Sequence, residues 1–338
     1  MEKGKRAELV SFLKSVPFVE FCCVYGSTLH PNNKDKSAMV DYILGVSDPL
    51  QWHSQNLKMN ADHYASWLRL LGGARLITQV ADDIGVGVHF NPFVIWNDKM
   101  LKYGVVRMRD LVQDVLNWEK IYLSGRLQKP VHILVDNLDI ANTNSVNLRA
   151  ALSAALLLLP SKFTQEDLFA KICSLSYMGD LRMLFAEDKN KVKKIVQGQF
   201  DLFHSMYKPF LQEYEARDFL RVSLSGTDQA NISQDCGLPV TCSLVSSLPL
   251  AIRSQMGKKL GQKKIINELR NAHFAGQAIN EVIIGSREEA SKCMQGVLRR
   301  IVMISSARQA VSGLLAVGGI NATKYLANKM QKAWKSWT

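Results

Sequence analysis

Two short features of this chain carry residue types suited to phosphate chemistry. Tyr25-Gly26-Ser27 follows an apolar run, FVEFCCVY at 18–25, and Asp41 lies 14 residues beyond Ser27 in a second apolar run, MVDYILGV at 39–46. Glycine lets a backbone approach a phosphate closely, and a serine hydroxyl with the N–H groups after it can donate to one. An ionised aspartate on an apolar strand is costly to bury unless it is paired or metal-bound. A Mg²⁺ ion bridging triphosphate oxygens supplies such a partner. The plainer alternative is a Gly-Ser turn followed by an edge-strand aspartate facing water, and spacing alone leaves both open.

Two further groups could complete a nucleotide site. His53, Asn56, Asn60 and His63, with Trp52 and Tyr64 among them, recur at helical spacing and share one helix face. Such a stripe can read a base edge or a ribose, although half-buried aromatics on a surface helix explain it as well. The cations are Lys102 beside Tyr103, Arg126 with Lys129, and Arg182 with Lys189 and Lys191. Fixed cations stabilise charge that spreads over transferring phosphates; arginine binds bidentately and lysine as a point charge. A solvated surface charge is the alternative for each, and Lys189 to Lys194 reads mostly as an exposed helix face. Gly85 and Gly87 are no dinucleotide fingerprint, because the third glycine is absent.

These residues need strands and helices to hold them. Strands are expected at 18–25, 39–46, 102–108 and 129–136. Asp48-Pro49 predicts a helix start, with a break near Asn60. The stretch from Asp110 predicts an amphipathic helix ended by Gly125, and Thr164 with Asp167 predicts a capped start. Strands alternating with helices give an α/β (α+β) class. The expected organisation is an α/β domain over 1–144, a helical second domain over 145–215, a variable linker-like segment over 216–285 and a basic C-terminal region over 286–338.

Composition sets the class of partner. The 338 residues carry a formal net charge of +12, and no acid follows Glu289. A basic stretch of this kind points to a polyanion, either nucleic acid or an anionic membrane. In the tail, Leu326, Met330, Trp334 and Trp337 share one helical face while Lys324, Lys329, Lys332 and Lys335 spread over the other. That is the pattern of an interfacial helix on an anionic bilayer; a helix docked on the protein's own core is the alternative. Gly313, Gly318 and Gly319 predict a break before it. No apolar run reaches the roughly 20 residues needed to span a bilayer. The N-terminus has neither a long apolar core nor the acid-free character of a transit peptide. The 6 cysteines show no metal-ligand spacing and read as buried thiols in a reducing compartment.

In their order along the chain, YGSTLHP, MVDYILGV, WHSQNLKMNADHYASW, KYGVVRM, YLSGRLQKP and SLSYMGDLRM resemble the mitochondrial phosphatidate cytidylyltransferases, CDP-diacylglycerol synthases of the nucleotidyltransferase superfamily. The resemblance implies a polymerase-β-like nucleotidyltransferase domain followed by a mainly helical, winged-helix-like domain. It further implies Mg²⁺-dependent transfer of CMP from CTP to phosphatidate, for cardiolipin and phosphatidylglycerol synthesis, on the matrix side of the mitochondrial inner membrane. Nucleic acid is not the expected partner. On this reading Asp41 is the metal ligand, Asp41, Lys102 and Asp180 carry the chemistry, and Tyr25, Gly26, Ser27, His53, Asn56, Tyr103, Arg126 and Lys129 bind the nucleotide. The superfamily places two acids one residue apart on the second strand, whereas Asp41 has Met39 and Ile43 at those positions. Asp136, Asp180 and Asp188 are candidates for the missing carboxylate, Asp180 foremost. Thr28 also stands where the family often has a second glycine. A nucleic-acid nucleotidyltransferase and a non-catalytic membrane scaffold with a degenerate domain are the rival readings.

Overall fold

Apolar β-branched and aromatic residues at 21–25 and 40–46 form the centre of a mixed sheet. The computed structural model describes residues 3–26, 39–185, 190–224, 230–260 and 282–317. Strands β1 (Phe21–Tyr25) and β2 (Val40–Val46) pair antiparallel, Tyr25 opposite Asp41. On the other side of β2, β4 (Lys99–Arg107) runs parallel to it and sets Lys102 opposite Asp41 and Tyr103 opposite Tyr42. Strands β3 (Val88–Trp96) and β5 (His132–Asp136) form the edges, in the order β3-β4-β2-β1-β5. Helix α1 (Lys3–Ser11) shields the β5 edge, where Arg6 donates to the Ile133 and Leu134 carbonyls.

Side chains alternate across a strand, so this sheet has two distinct cores. One holds Phe21, Cys23, Ile43, Phe90 and Val106 against Met108, Leu111, Tyr122 and Leu123, with Tyr25 packed on it. The other holds Cys22, Val24, Tyr42, Leu44, Tyr103 and Val105 against Phe12 and Trp52. The second face is covered by α2 (Pro49–Met59), which starts as expected: the Asp48 carboxylate accepts from the Leu50 and Gln51 N–H groups, and the helix ends at Asn60. The short helices α3 (Ser66–Leu71) and α4 (Gly73–Gln79) follow.

Helix α5 (Met108–Asn117) ends earlier than the sequence predicts, at a left-handed Trp118, and Gly125 lies inside a separate short helix, α6 (Ser124–Leu127). The cause is Asp114. Its buried carboxylate accepts from five backbone N–H groups, Lys120 through Ser124, and folds that segment into a loop.

Beyond residue 140 the core is helical. Helix α7 (Ile140–Leu158) buries Ala150 to Leu157 at the centre, and α8 (Gln165–Leu175) starts with the predicted capping box of Thr164 and Asp167. Helices α9 (Arg182–Phe185), α10 (Lys191–Gly198) and α11 (Phe200–Ala216) follow. The expected linker-like segment is instead structured where described. Strands β7 (Leu220–Leu224) and β8 (Ala230–Gln234) join β6 (Lys162–Thr164) in a sheet of order β6-β8-β7. Helices α12 (Leu238–Ser246) and α13 (Leu250–Lys259) complete it. The alternation of buried Ala230, Ile232 and Gln234 explains the strand, since a polar side chain also sits inside when bonded. The Gln234 amide donates to the Leu156, Leu159 and Pro160 carbonyls.

Helix α14 (Arg287–Val317) runs through Gly313 without a break. Its first half packs in the helical core and its last turns reach the α/β unit, where Trp67 Nε1 donates to the Leu315 carbonyl and Arg308 to the Asp82, Asp83 and Ile84 carbonyls. Among the described residues no helix is long and apolar enough to cross a membrane. The predicted amphipathic tail, with Leu326, Met330, Trp334 and the lysines, lies outside the described residues.

Candidate functional site

At the end of the sheet where β1 finishes and β2 begins, Gly26, Asp41 and Lys102 converge. Gly26 has φ +104°, which a side chain rarely tolerates, and a Cβ there would lie 3.1 Å from Asp41 Oδ2. The missing side chain therefore keeps space beside that carboxylate oxygen. The other oxygen, Oδ1, accepts from Lys102 Nζ at 2.8 Å, and both side chains are half-buried. Burial opposes the Lys102 charge, but Asp41 more than compensates and holds the ammonium above its ordinary value. Lys102 Nζ also stands 4.7 Å from the Phe90 ring centre. Ser27 and Asp188 fall outside the described residues.

Arg126 sits on the same side of the sheet. Its guanidinium carbon lies 3.9 Å from the Tyr122 ring centre and 5.2 Å from that of Tyr25, and Nη1 donates to the Tyr122 carbonyl at 2.6 Å. Arg126 Nε and the Tyr25 hydroxyl are buried without a hydrogen-bond partner among the described residues. Burial raises the Tyr25 hydroxyl pKa despite Lys102 and Arg126 close by.

Arg126 leads to a second group. Lys129 Nζ donates to Ser176 Oγ at 2.8 Å and to the Gly125 carbonyl, and lies 5.2 Å from the Tyr177 ring centre. A Cβ on Gly125 would come within 2.4 Å of Ser176 Cβ, so the absence of a side chain lets α6 and the α8 terminus touch. Burial, with Arg126, Lys191 and Arg182 nearby and only Cys173 opposing, pushes the Lys129 ammonium down to about 8. Arg182 is also within electrostatic reach of Tyr122 and Arg126. Asp41 offsets Lys102 and Asp180 offsets Arg182. Neither Arg126 nor Lys129 has a carboxylate within salt-bridge distance among the described residues. Both side chains are half-buried, and half-buried cations without a carboxylate partner favour an anion beside them.

Several expected site residues stand elsewhere. Asp180, expected foremost as the missing carboxylate, is paired with Arg182. Both its oxygens accept from Arg182, at 2.6 to 3.1 Å, and these bonds hold its carboxyl below the usual range although burial would raise it. Asp136 accepts from the Ile140 and Ala141 N–H groups at the start of α7, a helix cap. Tyr103 follows Lys102 and therefore points to the opposite face, where its hydroxyl meets Asn56 Nδ2 and His63 Nδ1, each at 2.8 Å. His53 and Asn56 meet the Tyr64 hydroxyl there, at 2.9 and 2.8 Å. His53 stacks edge-on against His89. Burial holds His53 well below its ordinary pKa and His89 down at about 4, so both are neutral. This network supports the sheet from behind and does not line the Gly26–Asp41 end.

The donor set suits Mg²⁺ only in a particular way. No group of three or more His, Cys, Asp or Glu side chains that could hold a metal occurs among the described residues. Asp41 alone offers a hard oxygen, Oδ2, beside the space that a Cβ on Gly26 would fill. Mg²⁺ is commonly held by one or two carboxylates plus substrate phosphates and water, so a single carboxylate fits an ion that arrives with a triphosphate. Phe90, Tyr122, Ser176 and Tyr177 were not anticipated as site residues. Ser176 and Tyr177 lie within the distinctive SLSYMGDLRM block, while Phe90 is revealed only by strand register, opposite Gly104.

Comparison with known proteins identifies the family of the chain. The family model described as "Phosphatidate cytidylyltransferase, mitochondrial" matches residues 8–332. A relative of that name from Bos taurus is 34% identical over 326 residues, covering 93% of this chain and 90% of its own. One from Mus musculus is 34% identical over 321 residues, with the same coverage. One from Caenorhabditis elegans is 32% identical over 340 residues, covering 97% of this chain and 98% of its own.

Proposed function

Because the chain belongs to the family of mitochondrial phosphatidate cytidylyltransferases, we propose that it transfers CMP from CTP to phosphatidate, releasing pyrophosphate and forming CDP-diacylglycerol. The observation that carries the reading is the surplus of half-buried positive charge without a carboxylate partner, Arg126 against the Tyr25 ring that precedes the Gly26 turn and Lys129 next to Arg126. In this reading the nucleotidyltransferase domain spans 1–144 and a winged-helix-like unit begins at 145. A strand–glycine turn–strand carrying the acid supports the first, and helices on a three-stranded sheet support the second.

CTP lies with its phosphates over Gly26, Tyr25 and Ser27. Asp41 would hold Mg²⁺ through Oδ2, and the ion would supply neutralisation of phosphate charge. Lys102 fixes the Asp41 carboxylate through Oδ1 and leaves Oδ2 facing the nucleotide. Arg126, stacked between two tyrosines, and Lys129 stand ready for charge that develops on the phosphates. The phosphatidate oxygen attacks the α-phosphorus in line, and the bond to the β,γ-diphosphate breaks. No side-chain nucleophile or base is required, since that phosphate is ionised at neutral pH, and catalysis rests on positioning and charge stabilisation. Pocket-facing roles for His53, Asn56 and Tyr103 are not part of this mechanism. The basic tail would hold the enzyme on the matrix side of the inner membrane.

The test is conversion of α-³²P-labelled CTP and phosphatidate, with Mg²⁺, to a chloroform-soluble labelled product. Asp41→Asn should lose most turnover with its circular dichroism unchanged. Absence of labelled lipid from the wild type under any divalent cation would favour a non-catalytic scaffold.

A further inference from the structure

Two adjacent leucines are the most exposed large apolar residues among the described residues, by fraction of their surface. Leu70 and Leu71, at the end of α3, are 82% and 76% exposed. Trp67, three and four residues before them on the same helix side, bonds the Leu315 carbonyl and so joins α3 to the last turn of α14. There α14 continues the apolar surface. Met303, Ile304, Val311 and Leu314 are all exposed and fall within about 100° of the helix circumference. An uncovered apolar surface on two joined helices is uncommon on a monomer.

From these observations we propose that this ledge, formed by the end of α3 and the exposed stripe of α14, seats the protein on an anionic phospholipid bilayer. The proposal rests on the reading of the protein as an enzyme acting on a lipid phosphate, and places its contact with the membrane. Charge selects the occupant. No acid lies between Asp62 and Asp82 or after Glu289 in the sequence, whereas Arg69, Arg299 and Arg300 are exposed on the ledge elements and Arg75 on the adjoining α4. Asp82 and Asp83 are exposed where their carbonyls meet Arg308 on α14, and elsewhere the apolar strip is bordered by arginines, which complement headgroups above acyl chains. Position supports it too. The described chain ends at Val317 beside the ledge, and the 21 residues from 318 to 338 hold four lysines and no acid. On the packed face of the same helix, buried Ser306 Oγ accepts from Leu181 N, next to Asp180 and Arg182. A bilayer on the ledge would thus meet the exposed face of the helix whose packed face holds the Asp180–Arg182 turn.

The experiment is flotation of the full chain with phosphatidylcholine vesicles containing phosphatidylglycerol, without CTP or phosphatidate. Membrane binding is thereby read apart from CMP transfer. The expected result is that the wild type floats and that Leu70→Glu/Leu71→Glu and Val311→Glu/Leu314→Glu each bind at least about tenfold more weakly, since each leucine withheld from an apolar phase is worth roughly that factor. All four side chains are exposed, so circular dichroism and CMP transfer to water-soluble dihexanoyl phosphatidate should stay near wild type. Loss of transfer by the wild type to that soluble acceptor would count against the enzymatic reading and not against flotation. Variants that float like the wild type, or a wild type that does not float, would overturn the proposal. So would variants that only dissociate a dimer in sedimentation while still binding vesicles, because the ledge would then face a second copy. With residues 318–338 removed, residual flotation that the glutamate variants abolish would support it and no residual flotation would overturn it, as would a ledge protected from deuterium exchange only when residues 318–338 are present, which would assign it to the chain's own tail.

Discussion

Replacing Arg126 with methionine separates a structural from a functional role for its charge. In the free protein the guanidinium gains from two tyrosine rings, at 3.9 and 5.2 Å, and from the Tyr122 carbonyl at 2.6 Å. Desolvated cation–π contacts contribute about 1 to 2 kcal/mol each, and a hydrogen bond from a charged donor about 1.5 to 3. Against this stands a desolvation cost of several kcal/mol for an ion with no carboxylate beside it. The terms nearly cancel. Arg126→Met, which keeps the apolar length, should therefore change stability by no more than about 2 kcal/mol, a melting shift of about 5 °C or less. With CTP and Mg²⁺ the balance changes. At a hundredfold excess over Kd the wild type should gain about 2.7 kcal/mol. The variant should gain little, and its CMP transfer should fall about 10²- to 10³-fold, the usual loss of a charge-stabilising donor. Thermal unfolding with and without CTP, read beside turnover, measures both. A loss of 3 to 5 kcal/mol in the free protein, or an undiminished CTP shift, would refute the assignment.

Gly26→Ala would place a Cβ at φ +104° and 3.1 Å from Asp41 Oδ2, costing about 1 to 2 kcal/mol of backbone strain and displacing the carboxylate; kcat should fall about 10- to 100-fold while the melting temperature drops only a few degrees. Lys129, with its ammonium at about 8, loses charge as pH rises through 8, so Kd for CTP measured by calorimetry should rise about tenfold by pH 9, and Lys129→Arg should flatten that rise. The same depressed value means that the unfolded chain holds the extra proton between 8 and its ordinary value. Stability from this group therefore increases with pH across that window, opposite in sign to the binding effect. His89, held at about 4 by burial, contributes stability that is full above pH 6.5 and is lost as pH falls from there towards 4. Urea midpoints should show about 2 kcal/mol lost between pH 6.5 and 5, and His89→Gln should reduce that slope.

Much of the site could be read from residue order, and its errors have specific causes. Gly26 and Asp41 stand together because each lies at the end of an apolar run that could only be a buried strand, and the two strands pair. Lys102 joins them through parallel register with β2, which no local pattern reveals. Tyr103 could have been excluded from the same pocket, because adjacent strand residues face opposite sides. A helical wheel grouped His53 with Asn56 correctly but says nothing about which sheet face their helix covers. Asp180 and Asp136 looked like spare carboxylates; their partners, Arg182 and the start of α7, appear only in three dimensions. The serine-rich segment after residue 220 reads as loop, yet β7 and β8 alternate inward and outward, and a hydrogen-bonded Gln234 replaces an apolar residue inside. Gly125 looked like a helix stop because the capture of five N–H groups by Asp114 leaves no periodic trace.

The account depends on a divalent cation joining Asp41 to the triphosphate beside Gly26. Crystals grown with Mn²⁺ and a non-hydrolysable CTP analogue test it through the anomalous signal of the metal. The predicted peak lies within bonding distance of Asp41 Oδ2 and between the analogue's phosphates, with Arg126 and Lys129 on the phosphate oxygens. A peak bound elsewhere, or an analogue seated against the His53–Tyr103 face of the sheet, would contradict it.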